Sequence, residues 1–300
     1  MSVVPRVSAI IPTLNGAATL PALLAALGRA RAAGTLAEIV AIDSGSRDET
    51  RDLLAQAGAR VLDLGGKRFG HGSARNRAAA ATEGDVLLLL TQDVEPVGGA
   101  WLRPLLEAFD DDRVVGVFGR QVPRDACPEE AFLAKVNYAG RPRRLTRSDL
   151  GARFGPGGTL FSNAFGAVRR SAWEAFPFPD VVMSEDQAWA LAVLEAGHEI
   201  RYEPRAEAYH GHRFGLARAF RRNFDSGSSL QALGLARSGW RSGAGHVLRE
   251  LRWIAASCGV RAVPHAIAYE AVRVLGFQCG RVERAMPVAL ARLLGEAPRG

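Results

Sequence analysis

Thr91-Gln92-Asp93 and Glu95 follow directly on five apolar residues, Val86 to Leu90. A run this short reads as a strand buried on both faces rather than a membrane span. Ligands in open α/β sheets gather at the carboxyl ends of strands. Two acids at such an end can hold a divalent cation against a substrate diphosphate. A solvated loop behind a core strand is the plain alternative. A second acid, Asp43, opens Asp43-Ser44-Gly45-Ser46 at the end of another predicted strand. There a carboxylate can accept from the ring N–H of a pyrimidine; a helix N-terminal cap is the competing reading. Phosphate motifs fail by inspection. Gly66-Lys67 is followed by Arg68 and lacks the upstream glycine of a Walker loop, and no Gly-x-Gly-x-x-Gly follows the first strand.

Periodicity supplies the elements that must position these groups. Val7 to Ile11 reads as a first strand closed by Pro12-Thr13-Leu14-Asn15-Gly16, with a helix over Ala18 to Ala33. Glu38 to Ile42 is a second strand, followed by a helix from Asp48 to Ala57 with acids in its first turn. A strand at Arg60 to Leu64, the loop Gly65 to Gly72 and a helix at Ser73 to Thr82 lead back to the central strand. Strands alternating with helices across short loops predict right-handed crossovers and a mostly parallel sheet. Beyond it come a helix near Ala100 to Phe109 and a strand near Val114 to Gly119. Residues 120–153 show little periodicity and read as a surface or acceptor-facing excursion. Gly155-Pro156-Gly157-Gly158 punctuates, and Leu160 to Val168 returns to the core. Ser184-Glu185-Asp186-Gln187 has the spacing of a capping box ahead of a helix at Ala188 to Ala196. Two short strands, Glu199 to Glu203 and Ala206 to Tyr209, end at His210-Gly211-His212.

Composition narrows the class. With 48% hydrophobic residues, the 300-residue chain can bury a substantial core. Cys127, Cys258 and Cys279 are too sparse for a zinc motif or a disulfide framework. The absence of a signal-like start or a long apolar run predicts a cytoplasmic protein, soluble or at the inner face of a membrane. From Gly211 onward fourteen arginines stand against five acids, so this part carries +9 and residues 1–210 carry −2.

Together these stretches resemble the family 2 glycosyltransferases of the GT-A fold. The resemblance is carried by Val7-Ser-Ala-Ile-Ile-Pro-Thr-Leu-Asn15, Asp43-Ser-Gly-Ser-Arg-Asp-Glu-Thr50, Phe69-Gly-His-Gly-Ser-Ala-Arg-Asn76, Thr91-Gln-Asp-Val-Glu-Pro96 and Ser184-Glu-Asp-Gln187, in order. The third and fourth phrases are similar to the rhamnosyltransferase branch. The resemblance covers about residues 7–225 and implies an α/β GT-A fold over 1–213, with a helical, basic extension over 214–300. It makes Pro12, Thr13, Asn15, Asp43, Ser44, Arg75 and Gln92 the nucleotide contacts. Asp93 matches the last acid of the family's Asp-x-Asp metal motif. Thr91 replaces the first, leaving one fewer carboxylate. His210 or His212 supplies a further ligand on this reading, a donor set that suits Mn²⁺ better than Mg²⁺. Glu185 and Asp186 are the catalytic pair, with Asp186 the base of an inverting transfer, kept ionised by the helix dipole.

The implied activity is transfer of a deoxyhexose, L-rhamnose from dTDP-L-rhamnose, to a glycan or polyprenyl-linked acceptor in cell-surface polysaccharide synthesis. Alternatives are another donor, UDP-glucose or UDP-N-acetylglucosamine, and a non-catalytic nucleotide-sugar-binding module. No nucleic-acid partner is expected, and a homo-oligomer stays open. In the tail, Arg218, Arg221 and Arg222 lie at helical spacing beside Leu216, Phe220 and Phe224. Val247, Leu248, Leu251 and Ile254 form a later stripe. Both suit peripheral contact with a membrane, against the competing reading of an ordinary helical subdomain.

Overall fold

The computed structural model describes residues 5–65, 70–124, 126–150, 160–235 and 240–296, with backbone only at 240–244. Gly66 to Phe69 and the Gly155–Gly158 punctuation lie outside the described residues.

The first half alternates as its periodicity predicts. Strand β1 (Val7–Thr13) leads to α1 (Leu20–Ala32), β2 (Glu38–Asp43) to α2 (Thr50–Gln56), and β3 (Arg60–Asp63) to α3 (His71–Ala80), before β4 (Val86–Leu90). These strands pair in parallel in the order β3-β2-β1-β4. All five residues of β4 are buried. Alternation sends Val86, Leu88 and Leu90 into one core layer and Leu87 and Leu89 into the other. A strand buried on both faces must be apolar throughout, which is why β4 has no polar position before Thr91.

The second half is mixed. The two-residue β5 (Glu95–Pro96) is followed by α4 (Arg103–Glu107), β6 (Val114–Val122), α5 (Pro128–Asn137), β7 (Arg143–Leu145), β8 (Phe165–Arg169), α6 (Arg170–Ala175), α7 (Glu185–Glu195) and β9 (Glu199–Tyr209). Strand β8 runs antiparallel between β4 and β6, and β9 pairs in parallel with β6. Strands β5 and β7 run antiparallel to β9. Six of the nine strands among the described residues therefore point one way, and their carboxyl ends share one edge.

Three local expectations change. The two strands expected at 199–209 are one, with the irregularity absorbed as a register shift opposite Gly119 and Arg120. The aperiodic region contains α5, which opens on Pro128 with Glu129 and Glu130 in its first turn. That start signal was readable, but ten residues are too few to show a period. The capping box does not form. Ser184 holds a left-handed φ of 65°, its hydroxyl sits 3.0 Å from Ser226 Oγ, and α7 begins at Glu185.

The tail comprises α8 (Leu216–Ala232), α9 (Trp240–Cys258), α10 (Val263–Arg281) and α11 (Val288–Leu294). Helices α8 and α10 cross at backbone contact. A Cβ at Gly276 or Gly280 would overlap the carbonyl oxygen of Phe220 or Phe224, so only glycine allows the approach. Helix α5 packs with this group: Phe132 meets Trp253 at 5.7 Å, and Tyr269 donates to Glu130 at 2.9 Å. The packing thus joins residues 128–137 to the helices beyond 214. Of the expected stripe, Ile254 is buried while Leu248 is exposed, because the face turned inward also carries His246 and Glu250.

Burial, with Glu270 nearby, pushes the Glu250 carboxyl up to about 8 from an ordinary 4.5. A carboxyl raised on folding holds its proton longer in the native state, so stability is lost as pH rises from about 4.5 through about 8. Glu250→Gln is expected to remove that slope, making the variant more stable than the parent at pH 8 but not at pH 4, as read by urea denaturation.

Candidate active site

At the carboxyl edge, two loops are laced together. The Asp43 side chain is 0% exposed. Its Oδ1 accepts from the backbone N–H of Gly45 (3.1 Å) and Ser46 (2.9 Å), its Oδ2 from Thr13 Oγ1 (2.9 Å) and Ser46 Oγ (2.6 Å). Burial alone would raise this carboxyl; the four donors outweigh it and hold it below the ordinary range. Asn15, at a left-handed φ of 46°, takes Ser46 Oγ on its own N–H and offers Oδ1 to the Arg47 N–H. Gln92 latches onto the backbone of Leu14, accepting from its N–H at 2.9 Å and donating to its carbonyl at 3.1 Å.

Most of the expected nucleotide contacts sit in these loops. Asp43 and Gln92 spend their polar atoms on the loops themselves, and Thr13 is buried against Asp43. Pro12 and Ser44 are partly open and Asn15 is exposed; the buried Ser44 Oγ has no hydrogen-bond partner among the described residues.

Arg75 is 2% exposed and pairs with Glu185 at 3.0 Å. Gly72, in the first turn of the same helix, allows the close approach, since a side chain there would overlap the Pro179 carbonyl. The neighbouring Asn76 braces the same helix, donating to the Phe178 carbonyl and accepting from Trp173 Nε1 (2.8 Å). Glu185 also accepts from Asn163 Nδ2 at 3.1 Å, so a cation and an amide occupy it.

Asp186 accepts from the backbone N–H of Gln187 at 2.8 Å and, weakly, of Asn163 at 3.4 Å. It keeps a partly open face although protein atoms crowd around it. Burial, followed by the charge of Glu185, pushes its carboxyl up to about 7. The helix start was expected to keep Asp186 ionised; desolvation and a like charge are the larger effects.

Asp93 faces both histidines, His210 Nε2 at 3.6 Å and His212 Nδ1 at 3.8 Å. One ligand atom from each of the three lies within 4.8 Å of the others. Burial works to raise Asp93, but His210 outweighs it and holds the carboxyl well below the ordinary range. Burial and the neighbouring His210 lower His212 to about 4, leaving it neutral at pH 7. Gln121, a residue the sequence reading missed, orients His210. Its amide donates to Ser162 Oγ at 2.8 Å, which leaves its carbonyl oxygen 2.7 Å from His210 Nδ1. That pairing places a proton on Nδ1 and leaves Nε2 as the ring nitrogen that faces Asp93. One carboxylate and two imidazoles around a common point fit a divalent cation. Ser162 and Asn163 precede β8 and join this corner to Asp186; no periodicity marks them, because strand reversal puts them at this edge.

A carboxyl-edge site of this composition on a mostly parallel sheet is that of a GT-A glycosyltransferase. The chain belongs to glycosyl transferase family 2, whose model matches residues 8–176. It is similar to the O-antigen chain rhamnosyltransferase RfbN of Salmonella typhimurium, 27% identical over 96% of this chain and 93% of that one. It is also similar to the rhamnosyltransferase WbaN of Salmonella anatum, 28% identical over 85% and 83%. Among solved structures, the mannosyltransferase PcManGT of Pyrobaculum calidifontis, in complex with GDP-Man and Mn²⁺, superposes with a TM-score of 0.57 at 17% identity, covering 98% of this chain and 79% of that one.

Removing one partner of the buried Arg75–Glu185 pair strands the other charge. Arg75→Met is expected to cost about 3–5 kcal/mol in urea denaturation, and the double variant Arg75→Met/Glu185→Leu to recover most of it. Equal losses in single and double variants would show that the pair does not hold α3 to α7.

Proposed function

We propose that the protein transfers L-rhamnose from dTDP-L-rhamnose, with inversion, to a glycan or polyprenyl-linked acceptor in cell-surface polysaccharide synthesis. The observation that carries the mechanism is the division of labour within the acid pair. Glu185 is locked by Arg75 and Asn163, so Asp186 is the carboxylate left to take the acceptor proton. As that proton leaves, the acceptor oxygen attacks the anomeric carbon from the face opposite the departing diphosphate. Similarity to O-antigen rhamnosyltransferases over most of the chain supports the sugar and the pathway class.

Pro12, Asn15 and Ser44 line the nucleotide rim on this reading, while Thr13, Asp43, Gln92 and Arg75 set the loops and helix behind it. Asp93, His210 and His212 would hold the divalent cation, Mn²⁺ in preference to Mg²⁺. When bound, such an ion offsets the charge of the leaving diphosphate. Thr91 stands where the family's first acid would be, and the second imidazole would supply the ligand lost there.

Asp186→Asn is expected to leave donor binding intact by calorimetry and to lower kcat by about two to four powers of ten. Near-parental turnover would remove Asp186 from the mechanism. A base must be ionised to act, and this one protonates near 7. kcat/KM is therefore expected to fall about tenfold per pH unit below that value and to level above it.

In the presence of Mn²⁺, dTDP-L-rhamnose at about a hundred times its Kd is expected to stabilise the protein by about 2.7 kcal/mol. It should bind more tightly than UDP-glucose, and chelation should abolish the effect. Tighter binding of UDP-glucose would reassign the donor and leave the acid pair's role standing.

A further inference from the structure

Ten of the eleven large hydrophobic side chains exposed among the described residues lie beyond residue 215. They are not scattered. The exposed residues of α10 are Pro264, His265, Ile267, Ala271, Val274 and Leu275. Apart from His265 at the first turn, they form a single apolar stripe at three- and four-residue spacing. Ile267, Val274 and Leu275 are 52%, 44% and 56% exposed. Val260 and Val282 flank the stripe in sequence, and Val288, Leu290 and Leu293 are exposed on α11, which follows. A surface helix of a globular protein normally shows the reverse, polar residues outward.

The exposed charge of the same stretch of chain has one sign. Between residues 245 and 293 every exposed charged side chain is an arginine: Arg249, Arg252, Arg261, Arg284 and Arg292. The acids of the same segment are withdrawn. Glu250 and Glu270 are buried, and Glu283 is partly buried against Ser228. Among the described residues no helix is long and apolar enough to cross a membrane. Helix α10 is about 28 Å long at 1.5 Å per residue, enough to lie along a surface.

From the apolar stripe and its arginine rim we infer that the outer face of α10 and α11 docks on the interface of an anionic lipid bilayer, with α10 in the membrane plane. Apolar side chains would enter the boundary between headgroups and acyl chains while the arginines meet lipid phosphates. A second copy of the chain suits the face less well. Antiparallel pairing would set Arg261 of one chain beside Arg281 and Arg284 of the other, like against like. This surface is not the one the sequence suggested. On α8, Phe224 is buried, and Arg218 and Arg222 pair with Glu296. Helix α8 instead lies between the membrane face and the active site, touching α10 on one side and the Met183–Ser184 lead into α7 on the other. The inference is independent of the donor sugar.

The test is flotation of the full chain with phosphatidylcholine vesicles, with or without phosphatidylglycerol, at low and high salt. The chain is expected to float with the anionic vesicles at low salt. Ile267→Glu/Leu275→Glu should abolish flotation, and each reversal among Arg261→Glu and Arg284→Glu should weaken it at least about fivefold. All four sites are exposed, and a melting curve for each variant, with Leu275→Gln as the milder substitution, separates lost docking from lost folding. Absence of flotation with anionic vesicles would overturn the inference, as would flotation that survives both apolar substitutions. A dimer in sedimentation velocity that Leu275→Gln dissociates, without vesicle binding, would assign the face to a second copy.

Discussion

The buried ion pair between Arg75 and Glu185 joins two helices that would otherwise belong to separate halves of the sheet. Helix α3 comes from the parallel half, and α7 packs over the mixed half. A charge taken out of water needs a partner in good geometry, and each residue is the other's. Satisfying Glu185 this way fixes the first turn of α7, and with it the position of Asp186. It also sets that carboxyl's affinity for protons, because a locked negative charge one residue away works with burial to raise it. Anchoring and tuning are thus one interaction seen from its two acids.

The cation corner follows a similar logic with different groups. A carboxylate opposite two ring nitrogens can hold a cation only if the ring nitrogens are turned toward it. Burial keeps His212 neutral, and the Gln121 carbonyl turns His210. Gln121 is itself held by Ser162, whose neighbour Asn163 touches both acids of the pair. The loop before β8 therefore touches both the Asp93 corner and the acid pair, so a change there reaches both.

The C-terminal helices solve a packing problem of another kind. Glycines at the α8–α10 crossing let the backbones touch, so little apolar side-chain surface is needed between the two helices. The apolar residues of α10 are left to face outward. A basic composition with its acids buried then gives that outward face a single sign of charge.

Much of this was legible in the chain itself. Five apolar residues at Val86 to Leu90 dictate a strand covered on both faces, and short polar breaks between alternating periods dictate a mostly parallel sheet. The order of the loop phrases points to the glycosyltransferase family. Those signals are local, carried by neighbours in sequence, so no tertiary information is needed to read them. What the polar residues of those phrases touch was not legible. Arg75 and Glu185 are 110 residues apart, Gln121 and His210 are 89 apart, and Gln92 meets Leu14 across 78. Each pairing arises because strand order brings distant carboxyl ends to one edge, and it decides whether a side chain faces a ligand or braces a loop. The raised proton affinity of Asp186 is tertiary for the same reason. A helix start predicts an ionised acid, and only the depth of burial beside Glu185 reverses that sign.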